Sequence, residues 1–156
     1  AIRHVRPDQQ DLIARQLPDF PAGFYASSGY VAKHGPFDTA GQIAMQPFLG
    51  TRDTTMMRAF LSEQDVHLDE SQFILRTDSG IVMWEMMRAG LGIAVLPDGL
   101  WPHIGGVERV NTQMSPITYP VWLATHRELH TSRRIRIVFD LLAEMLTAPC
   151  AHSVPP

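Results

Sequence analysis

Residues 73–97, FILRTDSGIVMWEMMRAGLGIAVLP, constrain the fold more than any other stretch of this 156-residue chain. Phe73, Ile74 and Leu75 form an apolar run of strand length. Thr77, Asp78 and Ser79 then supply three side chains able to cap a helix N-terminus. The helix that follows carries Ile81, Trp84, Met87 and Ala89 among its apolar positions, with Glu85 and Arg88 on a wetter side. Gly90 is placed to stop it as a left-handed C′ residue. Gly92–Leu96 is a second buried-type strand, closed by Pro97. A strand-helix-strand unit of this length favours two parallel strands joined by a right-handed crossover.

That geometry has a functional side. The loop between the first strand and the helix brings backbone N–H groups and the hydroxyls of Thr77 and Ser79 to the carboxyl end of a strand. Ligands of open α/β sheets bind there, and a helix N-terminus favours an anion. Asp78 or Ser79 can also simply cap its own helix. The two readings are compatible, because a cap satisfies only one of several orphan donors.

Length allows one domain or two small lobes. A net charge of −3 with scattered Lys and Arg gives no nucleic-acid surface. Cys150 is the only cysteine, so an intrachain disulfide is excluded, which fits a reducing compartment. No apolar run reaches membrane-spanning length, and the N-terminus lacks the charged and apolar regions of a signal peptide. The expectation is a soluble, cytoplasmic chain with no membrane partner. Ala1-Ile2-Arg3 reads as the end of a strand with no initiator methionine before it, hence as a fragment begun mid-domain.

Elsewhere, Asp11–Leu17 alternates like a strand and Pro18–Gly23 breaks it. Phe24–Ala26 is a short strand, and Ser27-Ser28 cap a helical turn over Gly29–His34. Thr39–Gln46 is a second helical turn, and Pro47–Gly50 a short strand. Asp53 or Thr54 caps a helix with Met57, Phe60 and Leu61 on its apolar side. Gln64–Ser71 is a polar connection. Asp98–Gly106 is a loop, Val107–Val110 a strand, Met114–Thr118 a connection and Tyr119–Ala124 a strand. The last helix, capped by Thr131 or Ser132, repeats Ile135, Val138, Phe139, Leu142, Met145 and Leu146 at i, i+3, i+4, i+7 spacing. Residues 148–156 should fray. Strands and helices alternate throughout, which predicts an α/β layer architecture.

No catalytic constellation emerges. Gly90-Leu-Gly92 has its helix before and its strand after, the reverse of a dinucleotide fingerprint. His126 and His130 lie at i, i+4, but Arg127 and Leu129 stand where a zincin or its inverse needs glutamate, so they read as surface histidines and not as a metal site. Ser79 lacks the flanking glycines of a nucleophile elbow. Asp69-Glu70 reads as a solvated pair. Arg127, Arg133, Arg134 and Arg136 read as the wet face of the last helix. Arg3, His4 and Arg6 follow a strand end, where an arginine can grip a carboxylate with a bidentate fork, or where they form a plain surface turn. No enzyme activity, metal or cofactor is expected.

Three segments carry a family resemblance. GLGIAVLP after a helix, followed by YPVWLATHRELHTSRRIRIVFDLLAE, resembles the C-terminal effector-binding region of LysR-type transcriptional regulators. FYASSGYVAKHGPF resembles the entry to that region's second subdomain, and LRTDSGIVMWEMMRAGLGIAVLP its central unit. The resemblance runs from Ala1 to about Ala148. It implies a fold like the type 2 periplasmic binding proteins, two α/β subdomains joined by two crossing segments with a small inducer, often an organic acid, in the cleft. The crossings would fall near Phe24–Ser27 and Pro116–Val121. Subdomain I would hold 1–25 and 117–148 and be incomplete, subdomain II would hold 28–116, and 149–156 would be a flexible tail. By the same resemblance Arg3, His4, Tyr25, Thr77, Asp78, Ser79 and Thr125 would contact the effector. The partners implied are an anionic small-molecule inducer, a second copy in a dimer or tetramer, and DNA through an N-terminal winged helix-turn-helix domain outside this chain. A solute-binding protein of a transport system is the alternative.

Overall fold

The structure is a computed structural model that describes residues 1–98, 105–110 and 117–147. It divides into two compact units, one of Ala1–Pro21 with the chain from Thr118 onward, the other Ala22–Ile117. The first boundary falls inside a long strand. Its position at Pro21/Ala22, ahead of the expected Phe24–Ser27, follows from pairing, since residues 22–27 are laddered to strands of the second unit.

The second unit contains the C-terminal part of β2 (Leu12–Ser27), α1 (Ser28–His34), α2 (Ala40–Ala44), β3 (Phe48–Gly50), α3 (Thr55–Ser62), β4 (Phe73–Arg76), α4 (Gly80–Arg88), β5 (Ile93–Pro97) and β6 (Val107–Val110). β3 runs parallel to both β4 and β5 and lies between them. The predicted crossover therefore joins parallel strands that are not neighbours. β2 is antiparallel to β5 through one edge and to β6 through the other, because Phe24 and Tyr25 face partners on both. Phe48, Leu49, Ile93 and Ala94 are fully buried, as the apolar runs of a parallel sheet covered on both faces require.

α4 packs through Met83, Trp84 and Met87 onto Tyr25, Leu49, Ala94 and Leu96. Burying a side chain such as Met87 contributes about 1.5–3 kcal/mol. Ile81, expected on this inner face, is 78% exposed. It sits in the first turn, on the solvent side of the helix that Trp84 and Met87 orient. Gly90 has φ +79°, the left-handed conformation predicted for the residue that stops α4. The connection between α3 and β4 is less polar than its composition suggests. Val66 and Leu68 are buried in it, and Glu70–Gln72 forms a single 3-10 turn.

The first unit contains β1 (Ile2–Arg3), the N-terminal part of β2, most of β7 (Ile117–His126), α5 (Arg127–His130) and α6 (Arg133–Thr147). β1 is antiparallel to β7, with Ile2 opposite Leu123 and Arg3 opposite Trp122. Its core is Leu17, Val121, Leu123, Phe139 and Ala143. The inner face of α6 is thus Phe139 and Ala143, with Leu142 and Leu146 alongside, whereas the expected core positions Ile135, Val138 and Met145 are exposed. Ile137 and Leu141 are exposed as well, so the apolar stripe is wider than the face that is buried, and the periodicity found Phe139, Leu142 and Leu146 but also took in three positions that face outward. His130 is half-buried, its ring edge-on to Phe139 at 5.3 Å, not a surface histidine.

Pro18 and Pro21 do not break β2, contrary to the sequence expectation. Both lie at exposed positions of the strand. Proline's φ is compatible with extended backbone, and its missing donor is tolerated where no ladder bond is needed. The expected loop Asp98–Gly106 and connection Met114–Thr118 lie partly outside the described residues, and the expected tail wholly so.

Candidate functional site

β3 and β4 run side by side and end together, with Gly50 opposite Arg76. Each feeds a loop and then a helix. The Thr77 amide donates to the Gly50 carbonyl at 2.9 Å, which extends the ladder one step beyond β4. Thr77 Oγ1 accepts from the Ser79 amide at 3.1 Å, and Ser79 Oγ accepts from the Val82 amide at 3.4 Å, so Ser79 is the N-cap of α4. Asp78 does not cap. One of its carboxylate oxygens accepts from the Arg52 amide at 3.0 Å, and the other meets Arg52 Nε at 3.3 Å.

That contact latches the two loops together at the carboxyl ends of two parallel strands. Both side chains are mostly in water, 83% and 63% exposed, so the ion pair itself is worth little, about 0–1 kcal/mol. The charge-assisted bond from the Arg52 main chain is what fixes the loop. With Val82 capped and Ser79 satisfied, the amides of Gly80 and Ile81 have no acceptor among the described residues. They are two parallel donors at the positive end of a nine-residue helix. Beside them, the Thr55 amide donates to Asp53 Oδ1 at 2.9 Å, and that bond holds the Asp53 carboxyl below its usual value.

Tyr25 belongs to a different cluster in the same unit. Its hydroxyl donates to Asp98 Oδ1 at 2.6 Å, and Arg109 holds Asp98 through Nε at 3.2 Å and Nη2 at 3.3 Å. Arg109 Nη2 also donates to the Ala22 carbonyl at 3.4 Å. Burial, then the hydrogen bond to Asp98 and its charge, push the Tyr25 phenol well above the ordinary tyrosine value, with Arg109 acting the other way. Sequence reading missed Asp98 and Arg109, which come from a loop start and from β6. The sequence carries no signal for them, because only the register of β2 and β6 sets Tyr25 opposite Arg109. It missed Arg52 too, which only the parallel pairing of β3 and β4 brings to Asp78.

Arg3, His4 and Thr125 belong to the first unit. Arg3 lies within β1 rather than after it, because Ile2 and Arg3 ladder onto β7. His4 packs edge-on against Tyr119 at 4.8 Å, and Arg6 lies over Trp122 at 5.6 Å, a cation-π contact. Thr125 is half-buried near the end of β7. His126, flanking it, is 3.1 Å from Asp11. The seven expected positions thus fall into three groups: the Thr77–Ser79 loop, Tyr25 with its own partners, and the residues on β1 and β7.

Residues 1–147 match the LysR substrate binding domain. The chain belongs to that family. Its architecture is accordingly the type 2 periplasmic-binding-protein-like α/β fold, and it is an effector-binding domain of a LysR-type transcriptional regulator. The regulatory domain of CrgA, a LysR-type transcriptional regulator from Neisseria meningitidis, is 25% identical, with a TM-score of 0.72, over 93% of this chain and 74% of that domain. The effector domain of the transcriptional regulator AmpR of Pseudomonas aeruginosa shares the fold at 13% identity and a TM-score of 0.69, over 91% of this chain and 68% of that one. So does the Vibrio cholerae virulence activator AphB at 17% identity and 0.65, over 90% of this chain and 50% of the full-length protein. The LysR domain described here spans about half of full-length CrgA and AphB. No curated protein sequence matches it. Among its described residues no helix is long and apolar enough to cross a membrane.

Proposed function

We propose that this effector-binding domain senses a small organic acid and that the Thr77–Ser79 loop provides its main anion contacts. The observation that carries the reading is the pair of amides, Gly80 and Ile81, left without acceptors at the start of α4 while the surrounding loop is held by Asp78 and Ser79. A carboxylate accepting both would complete the helix terminus. The Thr77 and Ser79 hydroxyls, already accepting, keep their protons to donate. For Arg3, whose guanidinium suits a carboxylate, and for His4, Tyr25 and Thr125, a part in effector binding rests on the family resemblance alone.

The domain works as a sensor, not a catalyst, inside a DNA-binding regulator. Occupancy alters the geometry of a dimer or tetramer, and a winged helix-turn-helix elsewhere in the protein makes the DNA contact. A ligand shifts that equilibrium only by its differential affinity for the two states. A thermal-shift screen against small mono- and dicarboxylic acids tests the reading. One acid at 100 times its dissociation constant should add about 2.7 kcal/mol of stability. A screen in which no acid raises the melting temperature contradicts it.

A further inference from the structure

α3 and the segment after it enclose a second site-like feature, a groove of about 570 Å³ lined by Thr55, Arg58, Ser62, His67, Leu68 and Asp69. None of these residues belongs to the Thr77–Ser79 loop. The groove is built rather than incidental. Leu68, one of its lining residues, is buried, and its carbonyl accepts from Arg58 Nε at 2.9 Å. Ser62 Oγ and His67 Nδ1, which also line it, are hydrogen-bonded at 3.0 Å. These two bonds tie α3 to residues 67–68 and fix both a guanidinium and an imidazole.

Charge pairing singles Arg58 out. The other arginines of this unit, Arg52, Arg76, Arg88 and Arg109, each have a carboxylate partner. Among the described residues Arg58 has none, although it is half-buried. Anchoring through Nε leaves both Nη groups for an anion, in a planar fork that suits a carboxylate. Asp69 is adjacent in sequence to the carbonyl that anchors Arg58 and is the N-cap of the Glu70–Gln72 turn, in a capping box with Gln72; it is exposed and lines the same groove with no ion pair to Arg58. A cation and an anion thus line one groove without an ion pair between them. The complementary ligand is a small molecule carrying both charges.

We propose that the α3 groove is an accessory binding site for a small zwitterion of the amino-acid type, its carboxylate on Arg58 and its ammonium on Asp69. Thr55 and the Ser62–His67 pair face the remainder of the ligand and set its polarity. The site is independent of the organic-acid reading above.

Isothermal titration of the full chain with each of the twenty protein amino acids, with acetate and with methylammonium as single-charge probes, tests this. At least one amino acid should bind one-to-one, and at least tenfold more tightly than either single-charge probe. Arg58→Gln should weaken it tenfold or more. Asp69→Asn, which removes an exposed carboxylate with little risk to folding, should weaken the amino acid tenfold and leave acetate unchanged. Ser79→Ala should leave the amino acid's affinity within twofold. The proposal is overturned if no amino acid gives a saturable heat, if acetate binds the Ser79→Ala chain as well as the best amino acid does, or if Asp69→Asn is without effect. Loss on Ser79→Ala with none on Asp69→Asn would move the amino acid to the α4 loop, and also overturns it.

Discussion

Arg109 holds both carboxylate oxygens of Asp98, at 3.2 and 3.3 Å, while the side chains remain only 29% and 25% exposed. The guanidinium lies across Gly23 so closely that a Cβ there would collide with it. The absence of a side chain at Gly23 is what lets β6 bring Arg109 over β2 to Asp98. Replacing Asp98 by Asn leaves a half-buried guanidinium without its counter-charge and should cost about 1–3 kcal/mol. Urea denaturation checks it, with Gly23→Ala expected to destabilise through the same pair.

Tyr25 makes the same cluster pH-dependent. Its phenol is raised in the folded state, so folding favours the protonated form. The stabilisation is complete below the unfolded tyrosine value near 10 and is lost as pH rises above it. Melting temperature should therefore fall more steeply above pH 10 in the native chain than in Tyr25→Phe. Superimposable alkaline profiles would contradict the assignment.

Ser79 separates capping from binding. Ser79→Ala removes the acceptor for the Val82 amide and should cost about 1 kcal/mol of stability without ligand. Ser79→Asp restores a cap but puts a negative charge beside the Gly80 and Ile81 amides. Its stability should recover while affinity for an organic acid does not, which differential scanning fluorimetry with and without the acid resolves.

Gly90 is required by its backbone. At φ +79° an L side chain is strained by about 1–2 kcal/mol. Gly90→Ala should lower stability by that amount in chemical denaturation, and Gly90→Asn by less, because asparagine tolerates the left-handed region.

The central strand-helix-strand unit was legible because each local signal agreed with the fold: the Ser79 cap, the Gly90 stop and the apolar runs of β4 and β5 all stand where expected. The expectations failed where tertiary pairing overrode local chemistry. Pro18 and Pro21 read as breakers, yet the strand passes through them on its exposed positions. On α6 the abundance of apolar residues left several helical stripes open, and only the packing on Leu17, Val121 and Leu123 selected Phe139 and Ala143. That Thr77, Asp78 and Ser79 share one loop was legible because they are consecutive. Arg52 and Asp98 could not, since each meets its partner only through strand pairing or loop return.

Arg3 carries a separate prediction. If it forms a charge-assisted contact with the bound acid, Arg3→Ala should weaken binding by about 1.5–3 kcal/mol. Arg3→Lys should recover only part of the loss, because a bidentate fork is not reproduced by an ammonium. Calorimetric titration of the two variants with the acid that stabilises the native chain most decides it, and unchanged affinity removes Arg3 from the site.

The α4 N-terminus is the proposed seat of the effector's carboxylate. The most direct measurement is an amide NMR titration of the chain with the acid that raises its melting temperature most. The Gly80 and Ile81 amides should shift downfield and saturate together, with Thr77 and Ser79 moving alongside. Saturable binding that leaves the Gly80 and Ile81 amides unmoved would contradict it.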